Sequence, residues 1–162
     1  MEEKKKVKYI FLDVDGVLNS YRPYDPKDDG VDLDKVQLVK KIVDATGADI
    51  ILSSAWKAVW SPKSRNKAAR ILNRKMAAVG LEIKGKTPGK PTIQKMKEIF
   101  AFLEKNPCDA YVILDDEVLD FVKEGQNDNL VLTNWKVGLT EKNADRAIAI
   151  LNKQLNASKS MR

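Results

Sequence analysis

Five short apolar runs punctuate the chain, at 7–12 (VKYIFL), 49–53 (DIILS), 81–84 (LEIK), 110–114 (AYVIL) and 129–133 (NLVLT). Each has the length of a β-strand. Between them apolar residues recur at helical spacing, as at Leu33, Val36, Val39, Ile42 and Val43 over 33–46. The stretches 63–79, 92–104 and 140–151 behave similarly, and Thr92 and Thr140 stand where helix N-caps belong. Strands alternating with helices predict right-handed βαβ units, hence an α/β fold with a doubly wound, five-stranded parallel sheet and helices on both faces. Such sheets bind ligands at the carboxyl ends of their strands.

Those ends carry the unusual residues. YIFLDVDG closes the first apolar run with Asp13 and Asp15, ILSS closes the second with Ser53, and YVILDD closes the fourth with Asp115 and Asp116. Carboxylates crowded at a strand tip repel one another and lose hydration, so a cation or a hydrogen-bond network must compensate. An Asp-Gly turn after a strand would be the plain alternative. Four acids converging on one sheet edge, without thiol or imidazole among them, instead match the oxygen-ligand chemistry of a hard cation such as Mg²⁺.

Composition narrows the chemistry further. The 162 residues contain no histidine, which excludes imidazole bases, Ser-His and Cys-His nucleophile pairs and histidine metal ligands. With 43% hydrophobic and 32% charged residues and no apolar run near the ~20 needed to span a bilayer, a globular, non-membrane chain is expected. One domain over 1–155 is expected, with 156–162 as a disordered tail. The opening MEEKKKVKYIF lacks the h-region of a signal peptide, and the single Cys108 has no partner in the chain, so the expected location is cytoplasmic. Cys108, after Asn106-Pro107, reads as a small structural residue.

The motifs, taken in order, resemble the haloacid dehalogenase (HAD) superfamily of phosphohydrolases. DVDGV resembles its first motif, Ser53 in ILSS its second, a lysine before the fourth strand its third, and Asp115-Asp116 its fourth. More narrowly, FLDVDGVLNS, ILSSAWK, GKTP, KMKEIFAFL, ILDD and VLTNWKVGLT look like the small HAD domain associated with RNA-repair proteins. The resemblance implies a Rossmann-like fold and a Mg²⁺-dependent phosphatase working through an aspartyl-phosphate. Asp13 would be the nucleophile. Asp15 would be general acid and then base, its backbone carbonyl helping to hold the metal with Asp13 and Asp116. Ser53 and a lysine would bind the phosphoryl group. Lys95 is preferred to Lys90 for that lysine, and Asp116 to Asp115 as direct ligand, leaving Asp115 in an outer position or paired with the lysine. Lys57 replaces the arginine usual after SSxW and loses its bidentate fork.

Several residues have two readings. Trp56 and Trp60 could stack nucleobases but are expected to pack against their own core. Met76 and Met96 read as core. Tyr21, Arg22 and Tyr24 follow the first motif and lie where substrate could touch them.

The gaps from Asp15 to Ser53 and from Ser53 to Lys95 are too short for an inserted cap domain, so the site is expected to be open. Residues 57–97 carry twelve Lys or Arg against one acid, Glu82, although the whole chain is only +6. Beside an open site that excess points to a nucleic-acid phosphate end and a polynucleotide 3′-phosphatase. A small-molecule phosphatase is the alternative, and a non-catalytic nucleic-acid-binding module a further one. A receiver domain is disfavoured because here DxD closes the first strand and DD the fourth.

Overall fold

Ile10, Phe11 and Leu12 are wholly buried although they lie in succession along one strand. A strand hides both faces only when it is central and covered on both sides. In the computed structural model, which describes residues 5–92, 94–118 and 127–160, that strand is β1 (Lys8–Leu12). It is followed by α1 (Leu33–Thr46), β2 (Asp49–Leu52), α2 (Lys67–Ala78), β3 (Ile83–Lys86), α3 (Lys95–Lys105), β4 (Ala110–Asp115), β5 (Leu130–Leu132) and α4 (Glu141–Ser160). The strands form one parallel sheet in the order β3-β2-β1-β4-β5, the doubly wound arrangement expected.

Alternation along the strands divides the core in two. Ile10, Leu12, Ile50, Leu52, Val112 and Leu114 face one side, where Val36, Val39 and Ile42 of α1, Leu72 and Met76 of α2, and Ala144, Ala147 and Leu151 of α4 cover them. Tyr9, Phe11, Ile51 and Ile113 face the other, closed by Met96 and Ile99 of α3. Both methionines are core residues, as expected. Cys108 is half-buried, and burial pushes its thiol up to about 11, which suits packing and not nucleophilic attack.

Element boundaries move for local reasons. β3 begins at Ile83 because Leu81 is still held by the end of α2, its N–H bonding the Met76 carbonyl at 2.9 Å. α2 begins at Lys67, where the Asn66 side chain accepts from the N–H groups of Ala68 and Ala69. Thr140 caps α4 reciprocally with Asn143. That helix runs beyond the 140–151 pattern into the residues expected to form a tail. Thr92 does not cap α3. The cap is Gln94, and the Thr92 hydroxyl accepts from its N–H at 3.0 Å. Between β1 and α1, and between β2 and β3, no inserted domain interrupts the βα pattern. No helix among the described residues is long and apolar enough to cross a membrane.

Candidate active site

Strand register assembles the site. Leu12 lies opposite both Leu52 and Leu114, so the next residues, Asp13, Ser53 and Asp115, emerge side by side at the carboxyl edge. The ladder continues one step into them: Asp13 N–H donates to the Leu114 carbonyl at 3.0 Å and Ser53 N–H to the Leu12 carbonyl at 2.8 Å. All three residues are buried. The Ser53 hydroxyl has no hydrogen-bond partner among the described residues, although buried hydroxyls ordinarily find one. An acceptor brought by a ligand would satisfy it.

One cation compensates the carboxylates. Lys95, the first residue of α3, places Nζ 3.1 Å from Asp13 Oδ2 and 3.0 Å from Asp115 Oδ2. Burial raises the Asp13 carboxyl above its ordinary range against the pull of Lys95. Burial, aided by the negative charge of Asp13, pushes Asp115 up to about 7. Burial alone would discharge Lys95, but the two acids outweigh it and hold its ammonium above the usual lysine value. Lys90, the other sequence candidate, is exposed.

The carboxylates of Asp13, Asp115 and Asp116 offer oxygen atoms that all lie within 4.8 Å of one another. Three oxygen donors with no nitrogen or sulfur suit Mg²⁺, and the donor set therefore fits the implied ion. Asp116 is held against Gly16. A Cβ built at Gly16 would stand 2.2 Å from Asp116 Oδ2, and its φ of +79° favours glycine independently. Thr133, at the tip of β5, ties this corner together: its hydroxyl donates to the Gly16 carbonyl at 2.7 Å and its N–H to the Asp115 carbonyl at 2.9 Å.

The Asp15 carboxylate lies outside that group and is held on the open side. It accepts from Asn19 Nδ2 at 3.0 Å and from Trp56 Nε1 at 3.1 Å. Trp56 is thus a half-buried donor at the site, in addition to packing on the core as expected. Trp60 is buried, with its indole N–H on Asn73, and offers no face to a base. Asp13, Asp15, Ser54, Thr92, Lys95 and Asp116 line an open cleft of about 240 Å³ together with Ala55, Pro91, Glu98 and Glu117.

Beneath the cleft lies a strut that sequence reasoning does not reveal. Lys57 is 1% exposed at its side chain and pairs with Glu98, while also donating to Thr87 Oγ1 and the Pro88 carbonyl, both at 3.1 Å. The second oxygen of Glu98 accepts from the Thr92 hydroxyl at 2.6 Å and from its N–H at 3.2 Å. The β2 turn is therefore fastened to the first turn of α3, the turn that aims Lys95. Forty-one residues separate the two partners, and no periodicity marks such a pair.

Breaking one side of a buried ion pair costs about 3–5 kcal/mol, because the surviving charge has no partner. Glu98→Gln is expected to lower stability by about 3 kcal/mol, and Lys57→Met in the Glu98→Gln background to recover part of it. Urea denaturation of the two single variants and the double variant checks this. Strictly additive losses would show that the two residues do not act together.

A search of curated proteins finds no match. Over residues 9–144, however, from β1 through the fourth strand's acids and into α4, the sequence matches the HAD domain in Swiss Army Knife RNA repair proteins, and the chain belongs to that family.

Proposed function

We propose that the protein is a Mg²⁺-dependent phosphohydrolase that removes a terminal phosphate from a nucleic-acid end through an aspartyl-phosphate, with a 3′-phosphate as the preferred substrate. The observation that carries the catalytic reading is the buried Ser53 hydroxyl, without a hydrogen-bond partner among the described residues, on the strand tip next to Asp13 of the Asp13–Lys95–Asp115 cluster. It is a donor waiting for a phosphoryl oxygen at the position where a nucleophile and a cation already meet.

In this reading an Asp13 carboxylate oxygen attacks phosphorus and the ester oxygen leaves with a proton from Asp15. Asn19 and Trp56 hold the Asp15 carboxyl at the open side of the cleft, where a leaving oxygen would emerge. Water then attacks the aspartyl-phosphate, Asp15 takes its proton, and the Asp13 carboxylate is regenerated with release of phosphate. Ser53 and Lys95 bear on the equatorial oxygens, where charge develops in the transition state. Asp13, Asp116 and the Asp15 backbone carbonyl would hold Mg²⁺, with Asp115 paired to Lys95. The ion would screen the charge of the phosphate from the anionic nucleophile.

Two features support a polymeric substrate. At about 240 Å³ the cleft is smaller than the ~300–1,000 Å³ that encloses a drug-sized ligand, so it receives a phosphoryl end and leaves the rest outside. In addition, Lys63 and Arg65 lie in the segment that leads from the tip of β2 to α2, and Lys67, Arg70 and Arg74 lie on α2. All five are exposed, and none is in an ion pair among the described residues.

Phosphate release from phosphate-terminated oligonucleotides and from mononucleotides, measured across salt concentrations with Mg²⁺ and with EDTA, tests the proposal. Release should stop in EDTA. Apparent affinity for the oligonucleotide should fall with a log-log salt slope of about −0.7 per phosphate contact, and Arg70→Glu with Arg74→Glu should flatten that slope. Equal salt responses for oligonucleotide and mononucleotide would favour a small-molecule phosphatase. Undiminished activity in EDTA would remove the metal.

A further inference from the structure

The loop after β1 carries two aromatic rings that the catalytic reading does not use. Tyr21 is 70% exposed and Tyr24 is 91% exposed. The two exposed rings lie within three residues of each other, and it is exposed apolar residues grouped on one surface, not single ones, that mark a binding site. Both line an open groove of about 400 Å³ with Asn19, Arg22, Pro23 and Gly30. Asn19 joins that groove to the cleft, since its side chain donates both to Asp15 Oδ1 and to the Gly30 carbonyl. Tyr21 is two residues further along, so its Cα is at most about 7 Å from that of Asn19.

The Tyr21 ring is mounted on fixed backbone. Tyr21 N–H donates to the Trp135 carbonyl at 2.9 Å, and Leu139 N–H to the Val17 carbonyl at 2.9 Å, so the 134–138 turn is pinned to the 17–21 stretch. Gly138, at φ +80°, permits this approach; a Cβ there would stand 2.8 Å from the Asn19 carbonyl oxygen. Trp135, itself 47% exposed, meets the Tyr21 ring edge to face at 5.4 Å, and Lys136 Nζ lies 5.5 Å from the Trp135 ring centroid.

Four acids in the same loop would seem to repel a phosphate-bearing ligand. Arg22 pairs with both Asp28 and Asp32, however, and Lys75 of α2 with Asp29 at 2.9 Å, so two of the four negative charges are offset. Asp25 alone has no cationic partner among the described residues. Exposed flat rings, a nearby ammonium and a groove linked through Asn19 to the proposed phosphate site are the parts from which single-strand binding surfaces are made.

Resting on the nucleic-acid reading above, we propose that Tyr21 and Tyr24, backed by Trp135 and Lys136, form a shelf on which bases next to the terminal phosphate of a single strand stack. The shelf reads aromatic faces and not base edges, so it tolerates any sequence. It places the sugar-phosphate end over the cleft.

The test uses the full chain and two single-stranded DNA oligonucleotides bearing the same terminal phosphate. One has bases throughout; the other is abasic at the last two positions. Loss of a base–aromatic stack weakens binding by about tenfold. Removing the two bases is expected to raise KM about a hundredfold, and Tyr21→Ala or Tyr24→Ala alone to raise KM for the base-bearing strand about tenfold. The two losses should not add, because each removes the same contact. Tyr24 is so exposed that its replacement leaves the fold intact, which keeps the test decisive if the Tyr21 variant misfolds. Equal KM values for the two strands, or additive losses, would overturn the shelf while leaving the nucleic-acid reading in place. Turnover of a mononucleotide with none of either strand would overturn that reading and the shelf with it.

Discussion

Asp13→Asn is expected to give a folded protein whose phosphate release falls by at least about 10⁴-fold, the scale seen when a covalent nucleophile is removed. The amide keeps the shape of the carboxylate but cannot form an acyl phosphate. Its effect on stability should be small or favourable, for a reason visible in the charges. Asp13 is buried beside Asp115, and Asp115 is pushed up to about 7 by burial and by the charge of Asp13. Removing the Asp13 charge relieves that repulsion, while Lys95 retains Asp115 as a partner at 3.0 Å. In EDTA the melting temperature should therefore hold or rise. Substantial turnover by the folded variant would take Asp13 out of the nucleophile position.

The inner strands were legible because buried parallel strands announce themselves as unbroken apolar runs, and β1, β2 and β4 each stop at residues too polar to continue inward, whereas LEIK at the edge alternates. Asp13, Ser53 and Asp115 could be placed together from that alone, since tips of adjacent strands share an edge. Thr133 ends NLVLT in the same way and was open to the same reasoning, but a lone threonine after a strand carries less signal than an acid pair. For Asp115 two placements stood open, an outer position or a pair with the lysine, because consecutive residues point to opposite sides and only the β4 register decides between them. The start of α3 was misjudged at Thr92 because its hydroxyl serves a local turn and Glu98 instead of capping the helix. Lys57 was beyond reach for a deeper reason. A lysine after a tryptophan in a basic stretch looks solvated, and only the distant Glu98, Thr87 and Pro88 make its burial tolerable.

Lys95→Met should damage both stability and chemistry, and pH separates the two effects. Without the ammonium, two buried carboxylates remain within 4.8 Å of each other. At an effective dielectric of about 20 their repulsion is about 3 kcal/mol. That is comparable to the about 3–5 kcal/mol lost when a buried pair is broken, and it corresponds to a melting temperature lower by about 10 °C in a chain of this size. Asp115 already holds its proton up to about 7, far above the 3.8 of an ordinary aspartate. Between those values the folded state binds more protons than the unfolded state, so in metal-free buffer stability is fully present below pH ~4 and is lost as pH rises toward 7. Lys95 favours the charged form of both acids, and its removal extends the loss to higher pH. Urea denaturation in EDTA should thus show the variant close to the parent at pH 5 and well below it at pH 8. At pH 8, Mg²⁺ should restore part of the difference, because a divalent cation replaces the missing charge between the carboxylates. With Mg²⁺ present, kcat should still be lower by about 10²–10³-fold if, as proposed, Lys95 also donates to the phosphoryl oxygens, which the ion cannot do. A stability difference independent of pH would mean that Lys95 acts by packing its stem and not by balancing the charges of Asp13 and Asp115.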